Sequence, residues 1–490
     1  AVCRGRSDDA ASAILGVDYT SQTTTHYQPF GYNVDQVIGD DVFGDKGIYD
    51  ENRRQITLDV KGNYTKDFMT NFNSALVVGV QGFLTKVKYP GSFGYDFPGP
   101  GIAVTSGAGT QQASDQVLET VNGGYFVQEQ LGYKKFLYVT AGARYDYSSA
   151  FGKSADGVLY PKFSVSFVPS DLGGFKLPAV SSLRLRGAWG QSGRQPSAFA
   201  KFTTFAAQPG PAGAGIRPDN LGNVDLKPEV ATEIEAGMEL GLFHDRYGFD
   251  ATYWNRKVND LLFGVQYPPS GGFTNSQLTN VGRLDGHGLE LSARGYVIQT
   301  AKTSLDLRAN IAFLSQKVAS LGGSPELKTG GSYARIRGYI KEGYAPGEFF
   351  GAKALRACGA GQTTKCLQPG QVTYDFNGDG LPDSEADALA FLSQPRDYTA
   401  LFNGNAILTE DGINSDLGKP TPDYTGSFGG TLTFAKNWQM GALFEFKGGN
   451  YSYWCLICGF RNASPRGTNS KLLQEVNATL LNPASTAEQR

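Results

Sequence analysis

The chain has 490 residues and a formal net charge of −2 at pH 7, with acidic and basic residues interspersed along it. This balance provides no basic surface of the kind that binds nucleic acid. Glycine occurs 64 times and aromatic residues make up 12% of the chain, a composition that favours turns and pleated sheets. No apolar run approaches the roughly 18 residues that a transmembrane helix needs, which excludes a helical membrane protein but not a membrane β-barrel.

Strands are predicted where apolar and polar residues alternate over about ten positions. The alternation is clearest in residues 136–147, 234–242 and 305–313. About ten residues suffice for a tilted strand to cross a bilayer, whereas strands of soluble sheets average five or six residues. We predict about fourteen such strands along the chain.

The connections between these strands alternate in length. Short turns are predicted at residues 65–70, 132–135, 243–245, 298–303 and 435–438, and long loops at residues 87–118, 191–230, 257–286 and 355–423. In an up-and-down meander, alternate connections lie on opposite edges, so all short turns should lie on one edge and all long loops on the other. This asymmetry is typical of outer-membrane barrels, which have short periplasmic turns and long extracellular loops. The sequence therefore predicts an all-β, transmembrane, antiparallel up-and-down β-barrel in a bacterial outer membrane.

Six segments carry short motifs in a fixed order, at residues 125–152, 160–169, 183–195, 226–262, 280–291 and 419–446. The fourth segment is the most informative. It contains L-x-P-E, then E-x-G-x-x-x-G-x-F-x-x-R, and it ends in R-K-x-x-D-L-L. In order and spacing, the six segments resemble the barrel of SusC/RagA-type TonB-linked outer-membrane proteins, which are TonB-dependent transporters.

The resemblance implies energy-coupled uptake of a bulky nutrient, either a glycan or a peptide oligomer, rather than an enzyme. It also implies contact with outer-membrane lipid, a SusD-like lipoprotein on the extracellular side, and coupling to TonB. We expect residues 1–490 to be part of one TonB-dependent-receptor-like β-barrel domain. The family's signal peptide, N-terminal domain, plug and last strands have no recognisable counterpart here, so we expect an incomplete barrel.

A calcium-loop motif occurs in the longest predicted loop. Residues 375–380 match D-x-N-x-D-G, in which oxygen atoms at alternate positions converge on one ion and Gly380 permits the sharp turn. The glutamate expected at the twelfth position is replaced by Ala386, and a simple Asx/Gly turn is the alternative interpretation. The predicted Ca²⁺ ligands are Asp375, Asn377, Asp379, Asp383 and the carbonyl oxygen of Leu381.

Four of the five cysteines form two closely spaced pairs. Cys358 and Cys366 lie in a loop rich in glycine and threonine, where we expect a disulfide if the compartment is oxidising. Cys455 and Cys458 have C-x-x-C spacing, which is interpreted as a second disulfide or as free thiols. A zinc site would need a second ligand pair nearby, and a redox motif would need a βαβ context.

Catalysis finds little support in the sequence. None of the three histidines has a partner histidine four residues away, and the common serine-hydrolase, zinc-protease and P-loop motifs are missing. Glu233, Glu235 and Glu239 share one strand face, which would line a hydrated lumen. The alternative is a secreted, calcium-stabilised all-β protein that binds or degrades glycans. That alternative predicts apolar strand faces packed against a second layer, whereas the barrel predicts apolar faces pointing outward into lipid.

Overall fold

In the structure, a computed structural model, nearly all of the regular secondary structure of the described residues is β-strand. The structure describes residues 2–4, 9–31, 43–153, 156–210, 213–329, 338–351, 353–376, 379–395, 407–409, 414–435, 437–452, 475 and 478–489. Helix α1 spans Glu385–Leu392. In chain order, the strands are β1 (Val2–Arg4), β2 (Ala10–Gln28), β3 (Asp45–Met69), β4 (Phe72–Tyr95), β5 (Thr110–Tyr133), β6 (Leu137–Ser148), β7 (Val158–Phe167), β8 (Val180–Arg194), β9 (Thr204–Gly210), β10 (Gly213–Asn220), β11 (Glu229–Leu242), β12 (Tyr247–Asn259), β13 (Leu262–Val265), β14 (Gln277–Asn280), β15 (Arg283–Gln299), β16 (Ser304–Ser320), β17 (Leu327–Lys328), β18 (Gly338–Ile340), β19 (Glu348–Gly351), β20 (Ser415–Gly418), β21 (Tyr424–Phe434) and β22 (Trp438–Gly448).

One large sheet dominates the described part of the chain. It contains fourteen strands in the order β1-β2-β3-β4-β5-β6-β7-β8-β11-β12-β15-β16-β21-β22, with β1 and β22 at its edges. Every neighbouring pair is antiparallel. The predicted antiparallel meander of about fourteen strands is therefore confirmed.

The strands near the start of the sheet are longer than predicted. Strand β3 has 25 residues and β4 and β5 have 24 each, rather than about ten. The ladder between β4 and β5 continues to the Tyr95–Thr110 pair, so the loop predicted at residues 87–118 is confined to residues 96–109. Alternation reveals only the part of a strand that has one apolar face, whereas backbone hydrogen bonds continue wherever two strands remain side by side.

The two edges of the large sheet differ in the length of their connections. One edge carries residues 70–71, 134–136, 243–246, 300–303 and 435–437, and the other carries residues 29–44, 96–109, 195–228, 260–282 and 321–423. We call the first edge the short-turn edge and the second the long-loop edge. The predicted division of short turns and long loops between the two edges is confirmed for these connections. It is wrong for two neighbouring connections, because residues 149–157 on the long-loop edge form a shorter connection than residues 168–179 on the short-turn edge. The latter connection is lengthened by a 3₁₀ turn at Pro169–Asp171.

The register aligns the apolar residues of successive strands on one face of the sheet. Ile234 on this face is 55% exposed and Leu307 is 44% exposed, so no second layer of the described structure covers them. The second apolar layer that the soluble alternative predicts is not observed. One directly paired row runs from β5 to β21 through Leu131, Val139, Val165, Gly187, Ala236, Tyr253, Leu289, Phe313 and Tyr424.

The long connections are themselves folded. Strands β13 and β14 form a hairpin, and β17, β18, β19 and β20 form a separate small sheet. Phe263, Val318 and Leu321 form a buried hydrophobic cluster where the hairpin and the small sheet meet the end of β16. The best-packed apolar residues therefore lie at the long-loop edge rather than along the large sheet. No helix among the described residues is both long and apolar enough to cross a bilayer.

Candidate functional site

An ion-pair network crosses three strands on the polar face of the large sheet. Arg186 on β8 donates hydrogen bonds to both carboxylate oxygens of Asp250 on β12, at 2.9 and 3.1 Å. It also donates to the hydroxyl of Thr252 at 2.5 Å and contacts the carboxylate of Glu239 on the intervening β11. Two parallel hydrogen bonds to one carboxylate hold the guanidinium in a defined orientation. The network therefore links β8, β11 and β12 on their polar face.

Gly237 makes room for this network. It is the residue on β11 that pairs directly with Arg186. A Cβ atom at this position would lie 2.7 Å from Nε of Arg186, which is closer than real Cβ atoms approach their neighbours, so the arginine side chain would have to shift. The arginine side chain can lie flat across β11 and reach β12 because residue 237 has no side chain.

A second group of charged residues lies further along the same face. Arg256 on β12 pairs with Glu233 on β11, and Glu235 follows two positions along the strand. Here the sheet forms an open groove of about 530 Å³, whose polar lining includes Gln128, Thr140, Lys162, Glu233, Glu235 and Arg256. The sequence prediction that the glutamates of β11 share a polar face is confirmed. It did not identify their partners Arg186, Asp250 and Arg256, although the alternation of Arg184 and Arg186 along β8 was a usable signal.

The predicted calcium ligands fall in the connection between β19 and β20. Asp375, Asp379 and Asp383 offer carboxylate oxygens that all lie within 4.8 Å of one another. Asp375 accepts hydrogen bonds from the backbone N–H groups of Asp379, at 3.2 Å, and Gly380, at 2.8 Å. The side chain of Leu381 is exposed. Asn377 lies outside the described residues.

The first cysteine pair lies in the same connection. The structure joins Cys358 and Cys366 by a disulfide, with their Cα atoms 4.8 Å apart. Cys455 and Cys458 lie outside the described residues, so their pairing stays a prediction.

A polar pocket lies at the long-loop edge beside the small sheet. Its volume is about 690 Å³, and its charged lining residues are Glu348, Lys353, Arg356, Asp416, Lys419 and Asp423. The Glu348 carboxylate is buried and accepts a hydrogen bond from the backbone N–H of Ala345 at 2.9 Å. Burial raises the pKa of Glu348 above its ordinary value, and the neighbouring Asp416 carboxylate raises it further, while the Ala345 N–H lowers it. This carboxyl group therefore holds its proton to a higher pH than an exposed glutamate does.

Comparison with known proteins identifies a family and several relatives. The model of the TonB dependent receptor-like β-barrel family matches residues 5–476. TonB-dependent receptor P3 of Formosa agariphila is 25% identical over 393 residues, which cover 77% of this chain and 37% of that protein. TonB-dependent receptor SusC of Bacteroides thetaiotaomicron is 22% identical over 366 residues, which cover 69% of this chain and 35% of that protein. The chain therefore spans little more than a third of the length of these curated relatives.

Solved structures share the fold. A chain of the RagAB peptide transporter superposes with a TM-score of 0.69 at 20% sequence identity, covering 91% of this chain and 47% of that one. The RagAB peptide importer in its "closed-closed" state gives a TM-score of 0.70 at 19% identity, covering 92% of this chain and 47% of that one. At these identities the similarity concerns the fold of the sheet and its connections.

Proposed function

We propose, because the chain belongs to the TonB dependent receptor-like β-barrel family, that it is part of the wall of a transporter for a bulky nutrient. The chain is an outer-membrane β-barrel protein, and its relatives are named as receptors and transporters. The proposed cargo is a polar oligomer, either a glycan or a peptide. Energy for its uptake would come from TonB in the periplasm.

The observation that carries this proposal is the division of the large sheet into two unlike faces. One face presents continuous apolar rows, which suit lipid. The other face presents the Arg186 network and the groove beside Glu233, whose charged groups need water or polar partners. A wall with these two faces separates lipid from a hydrated interior through which a polar oligomer can pass.

The proposed partner on the extracellular side is a SusD-like lipoprotein. Support comes from the long connections, which fold into their own small sheet and hairpin at one edge. The open polar pocket beside Glu348 lies next to the small sheet. A folded, polar edge of this kind offers a surface for a lid protein. The names of the relatives, SusC and the RagAB peptide transporter, are consistent with a two-component uptake system.

The test uses the full-length protein in its outer membrane. Uptake of fluorescent oligopeptides and of fluorescent oligosaccharides of matched size is measured with and without TonB. We expect one of the two classes to accumulate only when TonB is present. We also expect Arg186→Met, which disrupts the polar network, to slow uptake several-fold. Leu185→Met, one residue away on the apolar face, is the matched control and should leave uptake unchanged.

Two results would contradict the proposal. TonB-independent entry of both oligomer classes would remove energy coupling. Equal uptake by the Arg186→Met and Leu185→Met variants would mean that the polar face does not line the path. In both measurements, heat-modifiable electrophoretic migration verifies that each variant is assembled in the membrane.

A further inference from the structure

We propose that Asp375, Asp379 and Asp383 bind one Ca²⁺ ion in the connection between β19 and α1. The proposal is independent of the transport function, because these residues lie in a long loop and not on the polar face of the large sheet. The proposed ion would stabilise the folded conformation of that loop.

The decisive residue is Asp383. Its side chain is almost completely buried, with 3% of its surface exposed, and Asp375 beside it is 6% exposed. The Oδ2 atom of Asp383 accepts a hydrogen bond from the backbone N–H of Phe376 at 2.5 Å. Its Oδ1 atom is buried and has no hydrogen-bond partner within the described structure. A buried carboxylate oxygen without a partner is strongly unfavourable, so the site calls for a positive group that the described residues do not supply.

The arrangement of the three carboxylates identifies that group as a cation. Their oxygens lie within 4.8 Å of one another, and like charges at this separation repel. A divalent ion at the centre would neutralise the repulsion and satisfy the free oxygen of Asp383. Among the described residues, the cluster contains only oxygen donors and no cysteine or histidine, which favours a hard cation over zinc. Calcium accepts irregular sets of oxygen ligands from flexible loops, whereas magnesium demands near-octahedral geometry.

The surrounding contacts show what the ion would stabilise. Asp383 donates its backbone N–H to the carbonyl of Tyr374 at 3.0 Å, and its own carbonyl accepts from Val372 at 2.9 Å. The ring of Phe376 stacks on Tyr374 and on Phe391 of α1, with ring centroids 5.6 and 4.5 Å apart. A cation between the carboxylates would therefore tie both ends of this turn together and hold α1 against it.

The experiment measures binding of the metal alone to the full-length protein in detergent. After removal of divalent ions with EGTA, radioactive ⁴⁵Ca²⁺ is titrated into the wild type and into Asp383→Asn, Asp379→Asn and Asp387→Asn variants. We expect Asp383→Asn and Asp379→Asn each to weaken calcium binding at this site by roughly tenfold to a hundredfold. Asp387→Asn is the matched control, because that carboxylate already accepts hydrogen bonds from Ser384 at the start of α1. It should leave calcium binding unchanged.

Limited proteolysis gives a second measurement. Chelation should accelerate cleavage within residues 370–395 of the wild type, and added Ca²⁺, but not equal Mg²⁺, should restore protection. The Asp379→Asn variant should be cleaved rapidly both after chelation and in the presence of added Ca²⁺. Since Asp379 is exposed, this variant tests the site even if Asp383→Asn prevents the loop from folding. Identical calcium binding in the wild type and Asp379→Asn, or no effect of chelation on cleavage, would overturn the proposal.

Discussion

Replacing Leu291 with arginine is expected to destabilise the membrane-embedded sheet, whereas the same replacement at Ser292 is not. Leu291 is the middle residue of β15 and lies on the apolar face, paired directly with Ala251 and Ile311. Ser292 is its neighbour on the opposite face and pairs with Asp250 and Asn310. Because these two neighbours in β15 lie on opposite faces of the large sheet, the pair of substitutions tests which face contacts lipid.

The expected magnitudes differ clearly. An arginine that faces lipid near the middle of the bilayer costs about 2–4 kcal/mol in a membrane β-barrel. An arginine at residue 292 would face the hydrated side and extend near the Asp250 carboxylate. Its effect should be within about 0.5 kcal/mol of zero, as for a typical exposed substitution. The difference between the two variants should thus exceed about 1.5 kcal/mol.

The assay compares both variants with the wild type as full-length protein folded into phospholipid vesicles. Guanidinium titrations followed by tryptophan fluorescence yield the free energies of unfolding, and the assembled fraction in cells is measured in parallel. Equal destabilisation by the two substitutions would refute the reasoning, and so would greater destabilisation at Ser292. Either outcome would mean that the apolar face of β15 does not contact lipid.

Three further predictions concern the polar face, the small sheet and a strained turn. Gly237→Ala should displace the Arg186 side chain and slow uptake several-fold, as measured by the oligomer uptake assay. Glu348→Gln should remove a pH dependence of the small sheet. The pKa of Glu348 is raised in the folded state, so its stabilising contribution is complete at acidic pH and is lost as pH rises through that raised pKa. Hydrogen exchange of residues 338–351, measured as a function of pH, checks this prediction. His244→Gly should stabilise the protein by about 0.5–1 kcal/mol in guanidinium titrations, because residues 243–245 all have positive φ and His244 has φ 62°.

Each of these predictions has a contrary result. Uptake by Gly237→Ala at the wild-type rate would show that Arg186 adjusts without cost. If hydrogen exchange of residues 338–351 depends on pH in Glu348→Gln as it does in the wild type, a group other than Glu348 causes the pH dependence. An unfolding midpoint of His244→Gly at or below that of the wild type would show that the left-handed backbone of this turn carries no strain. Ser181→Ala serves as a comparison, because the Ser181 hydroxyl accepts a hydrogen bond from the His244 N–H at 2.5 Å.

Several features of the protein could be predicted from local sequence. Side chains alternate strictly between the two faces of a strand, so the apolar residues of segment 305–313 are sufficient to predict its lipid-facing side. The D-x-N-x-D-G spacing likewise predicts that Asp375 and Asp379 approach each other, because only a few residues of chain separate them. Both predictions depend on short-range geometry, which a single segment encodes.

Other features depend on which strands pair and in what register. Arg186 and Asp250 are 64 positions apart, and they meet because β8, β11 and β12 are adjacent in one sheet and Gly237 leaves the path open. The full lengths of β3, β4 and β5 follow from continued backbone pairing, which has no signature in side-chain alternation. The burial of Asp383, which leaves one carboxylate oxygen without a partner among the described residues, comes from the packing of the loop around it. The sequence by itself therefore determined the class of fold and the sidedness of its strands. Only the tertiary structure decided which charged groups meet and which of them lose contact with water, since contacts between distant residues follow from pairing and packing of the whole sheet.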